Sequence, residues 1–192
     1  MSCTVTLSSI RTNCDSQMGG IDVVYAINRE DVEAITLSSN VITAITLAED
    51  AYFKTYEFRK QSSGLTCTYN VDDVAGVKYV SGELALRFAK METEKRVSFM
   101  ALCNGDLACI VKDCNGKYWY LGYDRTVTMT AATGETGTSF TDANQYTITL
   151  TSMDNEMPYE VSASVIASVV EDFIEDDDEE LNPGEELNPG EQ

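Results

Sequence analysis

The fold is indicated most clearly by two neighbouring stretches between residues 107 and 152. The first reads Leu107-Ala-Cys-Ile-Val-Lys-Asp113, Cys114-Asn-Gly116, Lys117-Tyr-Trp-Tyr-Leu121. Asn-Gly between two apolar runs predicts a β-hairpin, because a type I′ turn needs φ > 0 at both central residues. The second stretch pairs Thr126-Val-Thr-Met-Thr130 with Tyr146-Thr-Ile-Thr-Leu150 across a flexible loop, Gly134-Glu-Thr-Gly-Thr-Ser139. Neither hairpin carries a reactive group of residues.

Strand patterns recur along the rest of the chain. Apolar and polar residues alternate with period two, and threonine fills the outward positions, as on a half-buried sheet surface. Further strands are predicted at Cys3–Leu7, Ile21–Ile27, Ala34–Leu37, Val41–Leu47, Tyr52–Phe58 and Leu65–Val71, with one long or two short strands at Val77–Phe88. Val161–Val170 fits both the strand and the helix period, and its valines and serines favour a strand.

One segment, about Thr93–Cys103, predicts a helix. It has an acidic first turn, an Asn104-Gly105 stop, and four apolar residues near one face: Phe99, Met100, Leu102 and Cys103. Many strands with a single helix predict a mainly β protein, an antiparallel sandwich or barrel with one flanking helix.

Acidic residues dominate the charge and concentrate in the last part of the chain. The net charge is −19, and eleven of the 32 acidic residues lie between Glu171 and Gln192, where there is no basic residue. We therefore expect a β-sandwich domain, residues 1–170, and an acidic low-complexity extension, residues 171–192, in which Glu-Glu-Leu-Asn-Pro-Gly occurs twice. The extension is either a solubilising tail or a segment that orders on a partner.

Patterns for catalysis and metal binding are missing from the sequence. It has no histidine and six cysteines without a Cys-x-x-Cys pair, so we expect free, buried thiols rather than zinc ligands. Asp72-Asp73, Asp113 and Asp124 do not form a calcium-loop pattern, and Gly134-x-x-Gly137 lacks the Lys and Ser/Thr of a phosphate loop. We expect no enzyme activity, no metal and no cofactor. Without a long apolar run or a signal-peptide pattern, we also expect no membrane span and synthesis in a cytoplasm.

Aromatic residues concentrate at Tyr118, Trp119, Tyr120 and Tyr123. In a strand, Tyr118 and Tyr120 point to one side and Trp119 and Leu121 to the other, which places one set in the core and the other at a rim or subunit contact. The alternative hypothesis is a carbohydrate- or host-surface-binding sandwich, adhesin-like, that stacks these rings on its ligand.

The region between Cys109 and Leu150 also resembles a known protein family. Three stretches show the resemblance: Cys109-Ile-Val-Lys-Asp-Cys-Asn-Gly-Lys-Tyr-Trp-Tyr-Leu-Gly122, then Val127–Gly137, then Phe140-Thr-Asp-Ala-Asn-Gln-Tyr-Thr-Ile-Thr-Leu150. They resemble virion proteins of tailed phages of Bacteroides-type bacteria, in which an Asn-Gly-Lys-Tyr-Trp hairpin precedes a Thr- and Gly-rich hairpin. These are tail-tube or neck-ring proteins, including ring proteins of crAss-like phages. This family has Gly where the present chain has Gln145.

The resemblance implies a tail-tube-like fold of two packed sheets with a flanking helix, assembled head-to-tail. It predicts a homo-oligomeric ring in the virion neck or tail, next to other ring, portal or tail proteins, around a channel that DNA crosses without sequence-specific binding. Subunit contacts are expected at Tyr118, Trp119, Tyr120, Tyr123, Gly134, Thr136 and Gly137. Partner contacts of the acidic extension are expected at Asp176, Asp177, Asp178, Leu181 and Leu187.

Overall fold

Two β-sheets pack face to face in the structure, a computed structural model that describes residues 8–12, 14, 16–59, 62–171 and 173. Within these residues the protein is mainly β and has two helices, and the two sheets do not close into a barrel. The prediction of a mainly β sandwich is confirmed, and its barrel alternative is wrong. The strand predicted at Cys3–Leu7 lies outside the described residues.

Seven strands, numbered with the others in chain order, form the larger sheet. They are β1 (Ile21–Asn28), β2 (Val32–Ser38), β3 (Val41–Leu47), β4 (Lys54–Glu57), β7 (Leu107–Asp113), β8 (Tyr118–Leu121) and β11 (Tyr159–Val161). Their spatial order is β2-β3-β11-β8-β7-β1-β4. Neighbours are antiparallel except β3 and β11, which run parallel.

Four strands form the smaller sheet. They are β5 (Gly64–Asp72), β6 (Val77–Ala89), β9 (Thr128–Glu135) and β10 (Gln145–Asp154), in the order β5-β6-β10-β9. The Val77–Phe88 pattern is thus one long strand. Alternate residues of β10 are buried while the threonines between them face outward, as predicted.

The sheets approach each other closely at Gly82 in β6. A side chain there would meet Ser152 Oγ at 2.5 Å and, from the larger sheet, Leu121 Cδ2 at 3.3 Å. Because glycine has no Cβ, β6 continues without a break past this point. Gly82 therefore marks a close packing contact between the sheets within one long strand.

Both hairpins predicted in the 107–152 region form, but their turns differ from the expectation. Gly116 has φ +77, whereas Asn115 is not left-handed, and the N–H of Gly116 donates to the carbonyl of Asp113 at 3.1 Å. This is a type I turn followed by a left-handed glycine, the three-residue hairpin loop, rather than type I′. The two-residue type I′ turn lies instead between β2 and β3, at Ser39 (φ 52) and Asn40 (φ 64).

The second hairpin forms between β9 and β10, with Met129 opposite Leu150 and Gly134 opposite Tyr146. The strand predicted at Thr126–Thr130 begins later, at Thr128, and Val127 pairs instead with Leu107. β9 extends to Glu135, so Gly134 is a strand residue and the connecting loop begins at Thr136. The predicted loop Gly134–Ser139 is corrected accordingly.

The centre of the larger sheet is buried on both faces. Five consecutive residues of β7, Leu107–Val111, are buried. Cys109 and Val111 face a core shared with the smaller sheet, and Ala108 and Ile110 face a second core on the opposite side. The sheet is therefore the middle layer of the described fold.

The second core is covered by α2 (Ala163–Val169), where a strand was predicted. That prediction is wrong, because the buried residues follow the helical period and not the strand period. The buried residues are Val165, Ile166, Val169 and Val170, whereas Ala163 and Ala167 are exposed. Only the short β11 before it is extended.

The predicted flanking helix is confirmed as α1 (Thr93–Asn104). Phe99 packs against Tyr146 of β10 with ring centroids 5.0 Å apart, and Leu102 is buried. Met100, placed on the apolar face by the sequence pattern, is 48 % exposed. α1 thus covers the side of the sandwich with a narrow apolar stripe.

Candidate functional site

The aromatic strand β8 divides its side chains between the two cores. Tyr118 and Tyr120 are buried in the second core, as expected for one of the two sets. Leu121 is also buried, on the opposite face, so the expectation that its set lies at a rim is wrong for this residue. The rings of Tyr118 and Tyr120 serve the interior of the subunit and offer no surface for a partner.

Tyr120 sits in a dry environment. Burial raises the pKa of its hydroxyl, which has no hydrogen-bond partner among the described protein atoms. A neutral phenol in such surroundings packs as an apolar ring. Tyr120 is a core residue in the described fold.

Trp119 is half-buried and held in place by its indole. The Nε1–H group donates to Asp113 Oδ2 at 3.0 Å. Asp113 Oδ1 also accepts from the N–H groups of Asn115 and Lys117. The hairpin turn and the tryptophan are therefore fixed by one carboxylate.

An open groove of about 610 Å³ runs past Trp119, between the two sheets. Trp119 in β8 borders it from the larger sheet and the half-exposed Tyr69 in β5 from the smaller one. The connection from β10 to β11, residues 155–158, also lines it. Sequence reasoning found Trp119 but missed Tyr69, because no pattern shows which strands of different sheets lie opposite each other.

Tyr123 lies next to this groove without lining it. Its ring meets that of Tyr159 edge-on, with centroids 4.9 Å apart, and both pack against the second core. The hydroxyl of Tyr159 donates to Glu156, a hydrogen bond that raises the Tyr159 pKa to about 12. Tyr123 supports the wall of the groove.

The loop between β9 and β10, residues 136–144, is the Phe140 loop. Asp142 Oδ2 accepts from the N–H groups of Thr138 and Ser139, both at 2.8 Å, and from the Thr138 hydroxyl at 3.0 Å. These hydrogen bonds lower the pKa of Asp142. Phe140 is fully exposed in this ordered loop. These hydrogen bonds, together with the one from the Asp142 N–H to the Ser139 carbonyl, define the conformation of the loop.

A second projection is the β5–β6 arm, residues 70–79. β10 ends opposite Val80, and beyond it β5 and β6 pair only with each other, from Asn70–Tyr79 to Asp72–Val77. Asp72 Oδ1 accepts from the N–H groups of Val74 and Ala75 and shapes the turn. Val74 is fully exposed at the tip.

The described residues reach only the beginning of the acidic extension. Asp176, Asp177, Asp178, Leu181 and Leu187 lie outside the described residues. Glu171 forms an ion pair with Lys54, and Phe173 packs against the second core. The chain is thus anchored up to the beginning of the extension.

Reactive groups are scarce in the described part of the chain. It holds no cluster of His, Cys, Asp or Glu suited to a metal ion. The five described cysteines are free, as predicted, but only Cys109 is buried, which raises its pKa to about 12; Cys14 is exposed. No described helix has the length and apolar composition needed to span a bilayer.

Comparison with protein-family models, curated proteins and solved structures finds no match to the chain. The Phe140 loop, the β5–β6 arm and the groove at Trp119 are the candidate functional surfaces of the described chain.

Proposed function

We propose that the protein is a structural subunit of a ring or tube segment in a phage neck or tail, around the DNA channel. The observation that carries the proposal is the presence of fully exposed apolar side chains, Phe140 and Val74, on two ordered projections of the sandwich. Burial of such an exposed apolar side chain against another protein surface is favourable, by about 25 cal/mol per Å² of apolar area removed from water.

The Phe140 loop is suited to such a contact because hydrogen bonds within the loop define its backbone conformation. The Asp142 hydrogen bonds hold the residues on both sides of Phe140. A preorganised loop loses little conformational entropy on binding, so more of the contact energy contributes to affinity.

The β5–β6 arm supports the proposal in a different way. It extends about 10 Å beyond the last β10 pair, given a rise of about 3.3 Å per residue, and Val71 and Val77 are about half exposed along it. A two-stranded ribbon is marginally stable in water on its own. Contact with a neighbouring subunit would bury its apolar side chains and stabilise it.

Two different projections favour a head-to-tail arrangement. A contact between unlike surfaces generates a closed ring when the rotation between subunits closes, and an open tube when it does not. The net charge of −19 fits a passive channel, because an acidic wall repels DNA phosphates. Adjacent ring, portal or tail proteins would contact the two ends, with the acidic extension as a further contact.

The test is electron microscopy and light scattering of the purified protein and two charge variants, Phe140→Asp and Val74→Asp. We expect rings or tubes from the wild type. Each variant should assemble at least about 30-fold more weakly, because an unpaired buried carboxylate costs about 2 kcal/mol or more. Their circular dichroism should match the wild type, since both side chains are exposed in the subunit.

Val97→Asp is the matched control. Val97 is 61 % exposed on α1 and belongs to neither projection, and its replacement should leave assembly unchanged. The proposal would be refuted if the purified wild-type protein stayed monomeric and the electron density of the virion also lacked such a ring. Deletion of residues 174–192 should weaken assembly if the extension binds a neighbour. Unchanged assembly would show that the extension is not part of the interface.

A further inference from the structure

We infer that the groove between Tyr69 and Trp119 is a binding site for a neutral oligosaccharide. The inference is independent of assembly, because neither Phe140 nor Val74 lines the groove. It moves the carbohydrate hypothesis away from the buried Tyr118 and Tyr120 to an aromatic pair contributed by both sheets.

The walls of the groove provide the apolar part of the site. A pyranose ring has a face of C–H bonds that packs on an aromatic ring, and its hydroxyl groups point outward in the ring plane. Tyr69 is 50 % exposed, and Trp119 is oriented by its hydrogen bond to Asp113. Since the indole N–H is already used, Trp119 offers its ring rather than a donor.

The rim of the groove provides the polar part. Asn40, Asn155, Glu156 and Glu160 line it. Their amide and carboxylate oxygens accept hydrogen bonds from sugar hydroxyls, and the amide groups also donate. Asn40 is held in the type I′ turn with φ 64, so its position is set by the backbone.

Charge selects among carbohydrates. Glu156 and Glu160 are the charged side chains on the rim, and the nearby Lys117 already pairs with Glu160 at 2.6 Å. No cation of the described chain lines the groove to receive a sulfate or carboxylate. A neutral glycan is therefore favoured over an anionic one.

The dimensions agree with an oligosaccharide. The volume of about 610 Å³ lies within the range of about 300–1,000 Å³ that is typical of small-molecule sites. The groove is open on one side, which leaves room for a chain that continues beyond the rings. Weak affinity is expected, because much of such a ligand stays in water.

The single tryptophan of the chain is Trp119, so tryptophan fluorescence of the full chain reports on the groove. The probes are cellohexaose, maltohexaose, mannohexaose and chitohexaose, with hexagalacturonic acid as the anionic counterpart. We expect a saturable change with at least one neutral probe, at a Kd of about 0.1–1 mM, and weaker or no binding of the acid.

Two variants locate the binding. Tyr69→Ala should weaken it at least about tenfold, and Tyr52→Ala should leave it unchanged, since Tyr52 is similarly exposed but outside the groove. Calorimetry with Trp119→Ala should show no sugar binding. If Trp119→Ala unfolds, Tyr69→Ala still tests whether the groove binds the sugar.

Three results would overturn the inference. One is the absence of a saturable response to any neutral probe. Another is binding that Tyr69→Ala does not weaken. The third is emission that changes with protein concentration but not with sugar, which would show that a second copy of the chain covers the groove.

Discussion

The helix α2 allows a direct test of how the second core is built. Ile166→Ala removes three carbons from a side chain with no exposed surface. At about 0.8 kcal/mol per buried methylene the transfer loss is about 2.4 kcal/mol, and the cavity left between helix and sheet adds to it. We expect the free energy of unfolding to fall by about 3–4 kcal/mol, within the usual range for such substitutions.

Urea unfolding followed by circular dichroism measures this change. The midpoint should fall while the dependence of the free energy on urea stays constant, which would show that stability and not compactness has changed. In a thermal scan the same loss corresponds to a lower Tm by about 6–16 °C for a chain of this size.

Ala167→Lys is the discriminating control. Ala167 is exposed on α2, so lysine should change stability by no more than about 0.5 kcal/mol. In a strand, position 167 would share its face with the buried Val165, and lysine there would cost several kcal/mol. Equal losses for Ile166→Ala and Ala167→Lys would therefore refute the helix.

Three further predictions concern single side chains. The hydrogen bonds that lower the pKa of Asp142 are fully present above the ordinary carboxyl pKa and should be lost as the pH falls through the lowered value. The protection of the Thr138 and Ser139 amides, measured as hydrogen exchange relative to the intrinsic rate at each pH, should then fall, and Asp142→Ala should remove it at neutral pH; unchanged protection in that variant would contradict the prediction. Cys109, buried with a pKa raised to about 12, should react with a thiol reagent only on unfolding, whereas the exposed Cys14 reacts at once; equal rates would contradict the burial. Gly82→Ala should lower the free energy of unfolding by about 1–3 kcal/mol through overpacking, as measured by urea unfolding. The control Gly64→Ala should be close to neutral, because no atom lies within 4 Å of the added carbon. A neutral Gly82→Ala would count against the close contact between the sheets.

Local patterns predicted most of the strands because a half-buried surface imposes alternation on the residues themselves. β10 illustrates this, since every second side chain is buried from Tyr146 to Ser152. The segment 161–170 could not be settled in the same way. Val165 and Val169 satisfy both periods, and only the tertiary contact of Ile166 and Val170 with the second core selects the helix.

The hairpin turn shows a second limit. The Asn115-Gly116 pair predicted the position of the turn correctly but its type wrongly. The Asp113 carboxylate accepts hydrogen bonds from the N–H groups of Asn115 and Lys117, which favours a longer loop. Such side-chain capping competes with the local preference of an Asn-Gly pair.

The candidate site was only partly predictable for a related reason. Trp119 stands out in the sequence, but its partner Tyr69 comes from another sheet and is related to it only through the packing of the layers. Phe140 did carry a signal, since it is the single aromatic residue within a polar loop. Exposure of such a residue is the observation that turned the loop into a candidate contact.

The parallel pairing of β11 with β3 has a consequence for how the molecule reaches its native state. β11 lies between β3 and β8, so the β2–β3 hairpin joins the rest of its sheet only through Tyr159–Val161. The hairpin is connected to the sheet only after Val41 has paired with Glu160, which lies far along the chain. Such a distant pairing slows folding, and during synthesis the hairpin remains an unattached unit with open strand edges until β11 emerges.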